Sequence, residues 1–377
     1  MKKYYAFALS LSILFLFVIY SCSSSEDETY VPTPPTSPVT VDLTQVPYPK
    51  LSDYKFFEGA LKDQVPALNV LPYEPASSLF SDYALKKRFV WMPEGTKAQY
   101  SSDGTILELP VGAALIKTFY YNNVQPGNTT RIIETRVMIR KSDGWIFAEY
   151  VWNDEQTEAL YDMNGSFTPI SWKDENEVIK STDYRIPSEA ECIVCHKSSQ
   201  LIDNAVVTTN IPIGIKPQSM NFNYEYADGA KNQLTKWIEE GYLEGGFALP
   251  SESNTVVDYK DMTKSLDVRA RSYVDINCAH CHTADRHCDY RPMRFAFSET
   301  AGNGANMGVC VDTEDMQGFP SELSKIVTPE STDHSMLYFR MNTTNEMYRM
   351  PLHGRTVIHT EGISLMRDWI NSLHQCD

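Results

Sequence analysis

The sequence predicts an α+β fold: an antiparallel β-rich region over 51–180, followed by a mainly α-helical region over 181–377. Three observations predict it. Residues 130–140 alternate, with Ile133, Thr135, Val137 and Ile139 on one face and Glu134, Arg136, Met138 and Arg140 on the other. That is the period-two pattern of a strand with one polar face. Ser142-Asp143-Gly144 then turns the chain into a second apolar run over 145–152, as in a hairpin. Near the C-terminus, Ile363, Met366, Ile370 and Leu373 recur at helical spacing.

The chain begins with Lys2 and Lys3, then an apolar run over 4–20, then Ser21-Cys22. Seventeen residues are short for a membrane span of about 20. The segment resembles a bacterial lipoprotein signal peptide (1–21), whose cleavage leaves Cys22 as the acylated residue. This places the expected product outside the cytoplasm as an outer-membrane lipoprotein, facing the periplasm or the cell surface and held to the membrane through Cys22. The acidic stretch Ser23-Ser24-Ser25-Glu26-Asp27-Glu28 resembles a surface-display signal of Bacteroidetes-type lipoproteins. Residues 22–50, with Val31-Pro32-Thr33-Pro34-Pro35, read as a Ser/Pro-rich tether.

Within 51–180, strands are expected around Phe89-Val90-Trp91, over 105–109 after the turn Ser102-Asp103-Gly104, and over 113–121, 130–140 and 145–152. Trp91, Trp145, Trp152 and Trp172 make an aromatic core the simplest reading of this region. Its competing role is to cover a bound group or to recognise a partner. Within 181–377, helices are expected over 265–277, near 232–242 and from about 361.

Two pentapeptides carry the chemistry: Cys192-Ile193-Val194-Cys195-His196 and Cys278-Ala279-His280-Cys281-His282. Cys-x-x-Cys-His is the attachment pattern of c-type haem. The two thiols become thioethers to the porphyrin, and the adjoining His is the proximal iron ligand. Cys192, Cys195, Cys278 and Cys281 are therefore the expected attachment residues, and His196 and His282 the expected iron ligands, for two covalent haems. A structural zinc site, a redox dithiol or ordinary disulfides are the plainer readings of four such cysteines. The motifs lie 86 residues apart, about one small cytochrome c module, which divides the region into 181–262 and 263–377.

Met350 is the expected sixth ligand of the second haem, 68 residues after His282 and just before Pro351; Met341 and Met347 compete with it. A thioether is a soft ligand that raises the potential. For the first haem, Met220 lies only 24 residues after His196. Met262, His334, His353 and His359 are the other candidates, as is an open distal position. His280 and His287 read as surface or hydrogen-bonded side chains. Of the eight cysteines, Cys288, Cys310 and Cys376 remain; a Cys288–Cys310 bridge suits an oxidising compartment and would leave Cys376 as a C-terminal thiol, but the sequence alone leaves the pairing open.

Lys and Arg total 33 against 49 Asp and Glu, a net charge of −16, and removing 1–21 leaves about −18. Such a surface argues against nucleic-acid binding and for redox partners with a basic or neutral docking face.

The chain resembles a known family through Leu51-Ser52-Asp53-Tyr54, Leu79-Phe80-Ser81-Asp82-Tyr83-Ala84, Ile116-Lys117-Thr118-Phe119-Tyr120 and Glu134-Thr135-Arg136. The likeness continues through Tyr150-Val151-Trp152-Asn153, Tyr184-Arg185-Ile186-Pro187, the second Cys-x-x-Cys-His with Asn277, Arg349-Met350-Pro351 and Gly354-Arg355-Thr356. It is similar to exported bacterial dihaem c-type cytochromes, whose physiological role is largely unassigned. The resemblance implies two haems and a Met-ligated C-terminal module. Leu352 stands where that pattern expects a second Pro. Together with the motifs, it makes the 181–377 region an expected cytochrome c-like dihaem unit. The second module is expected to resemble class I cytochromes c, its haem boxed by the helix before the motif and the last helix. Electron transfer is the expected function, as a carrier rather than an enzyme. A dihaem peroxidase-like oxidoreductase is the alternative.

Overall fold

The computed structural model describes residues 36–374 and residue 376, so the apolar leader and Cys22 lie outside the described residues. A short hairpin, β1 (Phe57–Glu58) with β2 (Val65–Pro66), precedes the main sheet. The sheet holds β3 (Leu71–Pro72), β4 (Leu85–Trp91), β5 (Ala114–Val124), β6 (Thr129–Lys141), β7 (Gly144–Trp152) and β8 (Ala159–Tyr161), each antiparallel to the next. A further hairpin, β9 (Ser166–Lys173) with β10 (Ile179–Ile186), joins the far end of β5 through Val124 and Trp172. The expected β6–β7 hairpin is present, closing on Lys141 opposite Gly144. The run over 105–109 forms no strand; it makes one bridge, Gln99 to Glu108, while Leu107 and Leu109 turn into the core.

Alternation along the strands produces two buried faces. On one, Ala114, Ile116, Val137, Ile139 and Tyr150 pack under Leu51, Tyr54 and Phe56, with Val39, Val41 and Leu43 against them. Residues 39–50, read as tether, therefore contribute to the core. On the other face, Val90, Leu115 and Met138 pack against Ile215, Met220, Leu234 and Trp237. The expected polar face of β6 is thus covered by the second half of the chain, and Glu134 is 0% exposed. From Pro38 onward the chain forms one unit.

The expected mainly α-helical, cytochrome c-like region over 181–377 is not what forms. Strand makes up 29% of the chain against 19% helix, so β structure dominates. Two more antiparallel hairpins lie inside that region: β11 (Lys197–Ile202) with β12 (Ala205–Asn210), and β13 (Asn223–Tyr226) with β14 (Gly229–Asn232). Their cause is local. Asp203 and Asn204 both adopt positive φ, at 49° and 63°, the backbone of a tight two-residue hairpin turn. Val206-Val207-Thr208-Thr209 then supplies a β-branched run. Asp228-Gly229, with Gly229 at φ 113°, turns the second hairpin.

The three expected helices do form, over Gln233–Glu239, Leu266–Asn277 and Thr360–Asn371. Ser265 caps the second, accepting from Val268 N–H. The last two pack together, with Tyr273 and Val274 against Met366, Trp369 and Ile370. Among the described residues these two, at 12 residues each, are the longest helices. The remaining cysteine pair is Cys310–Cys376, Cα atoms 5.8 Å apart, rather than Cys288–Cys310. Cys288 is a buried free thiol whose N–H donates to the Cys281 carbonyl.

Candidate functional site

The first motif ends a helix, Glu189–His196. Ser188 and Glu191 form a reciprocal capping box at its start. Cys192 and Cys195, three apart, lie on one face. At Lys197 the backbone turns extended (φ −70°, ψ 135°) and the chain enters β11, leaving His196 as the last helical residue. Its Nδ1 donates to the carbonyl of Ile211 at 2.7 Å, since a carbonyl can only accept. Ile211 N–H donates back to the carbonyl of His196 at 2.8 Å. The ring packs edgewise on Phe147, centroids 5.1 Å apart. Burial pulls its pKa to about 4. The imidazole is neutral, and Nε2 is left as its unprotonated nitrogen.

The second motif follows the helix Leu266–Asn277, with Cys278 as its C-cap. A turn closes as His282 N–H donates to the Cys278 carbonyl. His282 is 8% exposed, packs on Phe295 at 5.4 Å, and has no partner at Nδ1 among the described residues. Burial lowers its pKa to about 4 as well.

The motifs meet. Cys281 Sγ lies 3.9 Å from the Val194 carbonyl, and the donor atoms of Cys195, His280 and Cys281 all lie within 4.8 Å of one another. His280, expected to be at the surface or hydrogen-bonded, is half-buried where the two motifs meet. A cleft of about 340 Å³ runs from Cys195 past Cys278, Cys281 and His282 to Met350, with Met293, Phe295, Ile326 and Met336 in its walls. Burial raises the Cys278 thiol to about 12 and the Cys192 thiol to about 11, so both are protonated at neutral pH.

Met350 lines the same cleft as His282. Its loop is clamped by Arg355, a 3%-exposed guanidinium that donates to the carbonyls of Met350, Arg340, Thr343 and Val357. Met347 is 72% exposed at the cleft rim, and Met341 is buried in its wall. The first-haem candidates separate. Met220 is fully buried beside Leu234 and Trp237 and does not line the cleft. Met262 is 77% exposed, and His334 is exposed. Both nitrogens of His359 are hydrogen-bonded, to Tyr273 at 3.0 Å and Tyr259 at 3.3 Å. His353 lines the cleft and sits 3.2 Å from Glu191, next to Cys192.

The donor set fits haem. Each motif offers a thiol pair beside a neutral imidazole, half-buried at His196 and buried at His282, and His282 keeps a nitrogen without a partner among the described residues. Sequence reasoning missed Ile211 and gave Arg355 no role. Ile211 acts through its backbone, which leaves no sequence signal; Arg355 was visible within Gly354-Arg355-Thr356 of the resemblance, but its clamp on the Met350 loop was not.

Compared with protein-family models, with curated proteins and with solved structures, the chain finds no match.

Proposed function

We propose that the chain is an exported c-type cytochrome with two covalent haems, moving electrons between periplasmic or cell-surface redox partners. Cys192, Cys195, Cys278 and Cys281 hold the haems; His196, His282 and Met350 offer nitrogen and sulfur to iron. Bound haem supplies one-electron exchange. The protein residues fix the rings and exclude water. Ile211 orients His196, Phe147 and Phe295 wall the two imidazoles, and Arg355 holds the Met350 loop. One observation carries the reading: motifs 86 residues apart in sequence meet at Cys195 and Cys281, each with a neutral His, half-buried at His196 and buried at His282. Two attachment sites that close together suit charge transfer within one chain. Anchoring at Cys22 and a basic or neutral partner face belong to the same proposal, from the leader and the charge of −16.

The gathering of Cys195, His280 and Cys281 also favours a second reading, a thiolate–imidazole metal site such as zinc. The two readings exclude each other, because a sulfur consumed as a thioether is no longer a thiolate. Intact mass of the exported protein decides. Two haem increments and no thiol at Cys195 or Cys281 support the cytochrome; no increments and stoichiometric zinc overturn it.

A further inference from the structure

The strand registers place charges in a row. Arg88 on β4 stands opposite Lys117 on β5, Lys117 opposite Arg136 on β6, and Arg136 opposite Glu149 on β7. Three cations abreast is a costly arrangement, since directly opposed like charges destabilise a sheet. Arg136 is paired directly, with Glu134 at 2.5 Å and Glu149 at 3.1 Å, whereas Arg88 feels Glu74 and Lys117 feels Glu134 only at longer range. Among the described residues the Arg88 and Lys117 side chains make no hydrogen bond and no ion pair; Lys117 Nζ lies 4.8 Å from the Phe119 ring centroid. Arg88 is 7% exposed and Lys117 half-buried. Burial, then the neighbouring cations, hold the Lys117 ammonium well below the usual lysine range. Enclosed charges are ordinarily paired.

The row lies beside the first motif. The next row on the same face is apolar: Val90, Leu115, Met138 and Phe147. Phe147 is the ring on which His196 packs. Val90, Leu115 and Met138 are themselves covered by Ile215, Leu234 and Trp237, so this face reaches the His196 neighbourhood at Phe147, with the cation row two residues along the strands. Cations there without a directly bonded protein carboxylate suit carboxylates carried by a group attached at that motif.

We propose that Arg88 and Lys117 bind the two propionate carboxylates of the haem attached at Cys192 and Cys195. This rests on the dihaem reading above. The site would make the β sheet part of the first haem's pocket and set its potential through local positive charge.

The test uses the mature dihaem protein with Lys117→Gln, Arg88→Gln and Lys117→Arg. Haem number comes from intact mass, both midpoint potentials from a spectroelectrochemical titration, and carboxylate contacts from the propionate bands in resonance Raman spectra. A Cys192→Ala/Cys195→Ala variant assigns the first haem's signals by their loss. The expected result is a lower first-haem potential and a shifted propionate band in both Gln variants. Lys117→Arg restores both, and the second haem is unmoved. Two haem increments with an unmoved potential and band overturn this proposal alone; no increments overturn the dihaem reading with it. If added acetate shifts the first-haem potential in the wild type but not in Lys117→Gln, the row takes dissolved carboxylates and the propionate assignment falls. If neither Gln variant accumulates, carbodiimide treatment of the wild type decides. An amide between Lys117 and haem supports the assignment; Lys117 recovered unlinked, or linked to a protein carboxylate, overturns it.

Discussion

Ile211 holds His196 at both ends: its carbonyl oxygen accepts from Nδ1 at 2.7 Å, and its N–H donates to the His196 carbonyl at 2.8 Å. A residue of the segment after β12 thus aims the imidazole of the first motif, with the β11–β12 hairpin bringing the two together. His196→Ala should leave both thioether-bound haem increments in the mass and convert the first haem to a high-spin spectrum. Ile211→Pro removes only the N–H of that pair and should change the spectrum less. Equal, wild-type spectra in both variants would show that His196 is not an iron ligand.

Arg136 lies between two carboxylates that have almost no solvent, Glu134 at 0% and Glu149 at 1% exposure. Tyr184 also donates its hydroxyl to Glu134, at 2.5 Å. Arg136 holds Glu134 ionised against burial, while burial and the Glu134 charge push Glu149 well above the usual carboxylate range. Arg136→Gln should cost about 3–5 kcal/mol, because it strands a buried carboxylate. Glu134→Gln/Arg136→Gln should recover much of that loss. Urea unfolding of the three proteins measures it.

His359 should make stability depend on pH. It is buried against Phe80, Tyr259 and Tyr273, with Glu361 at 3.5 Å, and its pKa is lowered to about 4 by burial. The unfolded side chain titrates near 6.5. As pH falls from about 6.5 to 4, the unfolded state takes the proton first, so stability falls; above 6.5 the contribution is constant. The loss at pH 4 is about 3 kcal/mol. His359→Gln should flatten that part of the profile in urea melts between pH 7 and 4. An unchanged slope would place the titration elsewhere.

The Cys310–Cys376 bridge spans 66 residues and ties the end of the chain, beyond the helix Thr360–Asn371, back to the cleft-bearing half. Cross-linking a loop of that length restricts the unfolded chain by about 4 kcal/mol in the entropy model, with typical measured values of about 2–4. Cys376→Ser should lower stability by that order in urea unfolding, and added reductant should have no further effect on the variant. A reductant effect that persists would identify a different bridge.

Individual elements were legible where local pattern and burial agree. The alternation over 130–140 and the Ser142-Asp143-Gly144 turn lie in β6 and its hairpin with β7. The stripe through Ile363, Met366 and Ile370 lies in Thr360–Asn371, facing the helix before the second motif. The β11–β12 and β13–β14 hairpins carried readable signals, Asp203-Asn204 and Asp228-Gly229. Expecting a helical module around the first motif overrode them. The pairing of Cys310 with Cys376 had no local signal, because it depends on where a 66-residue loop returns.

By itself the sequence determined the chemistry available: two thiol pairs each joined to an imidazole, a methionine before Pro351, an acidic chain, and the four strands β4 to β7 of the main sheet. Those follow from residue identity and short-range spacing. Only the tertiary structure decided that the motifs touch at Cys195 and Cys281, that Ile211 aims His196, and that Arg88, Lys117 and Arg136 stand abreast beside it. Such placements are set by strand register and by which half of the chain covers each face of the sheet. No window of a few residues contains that information.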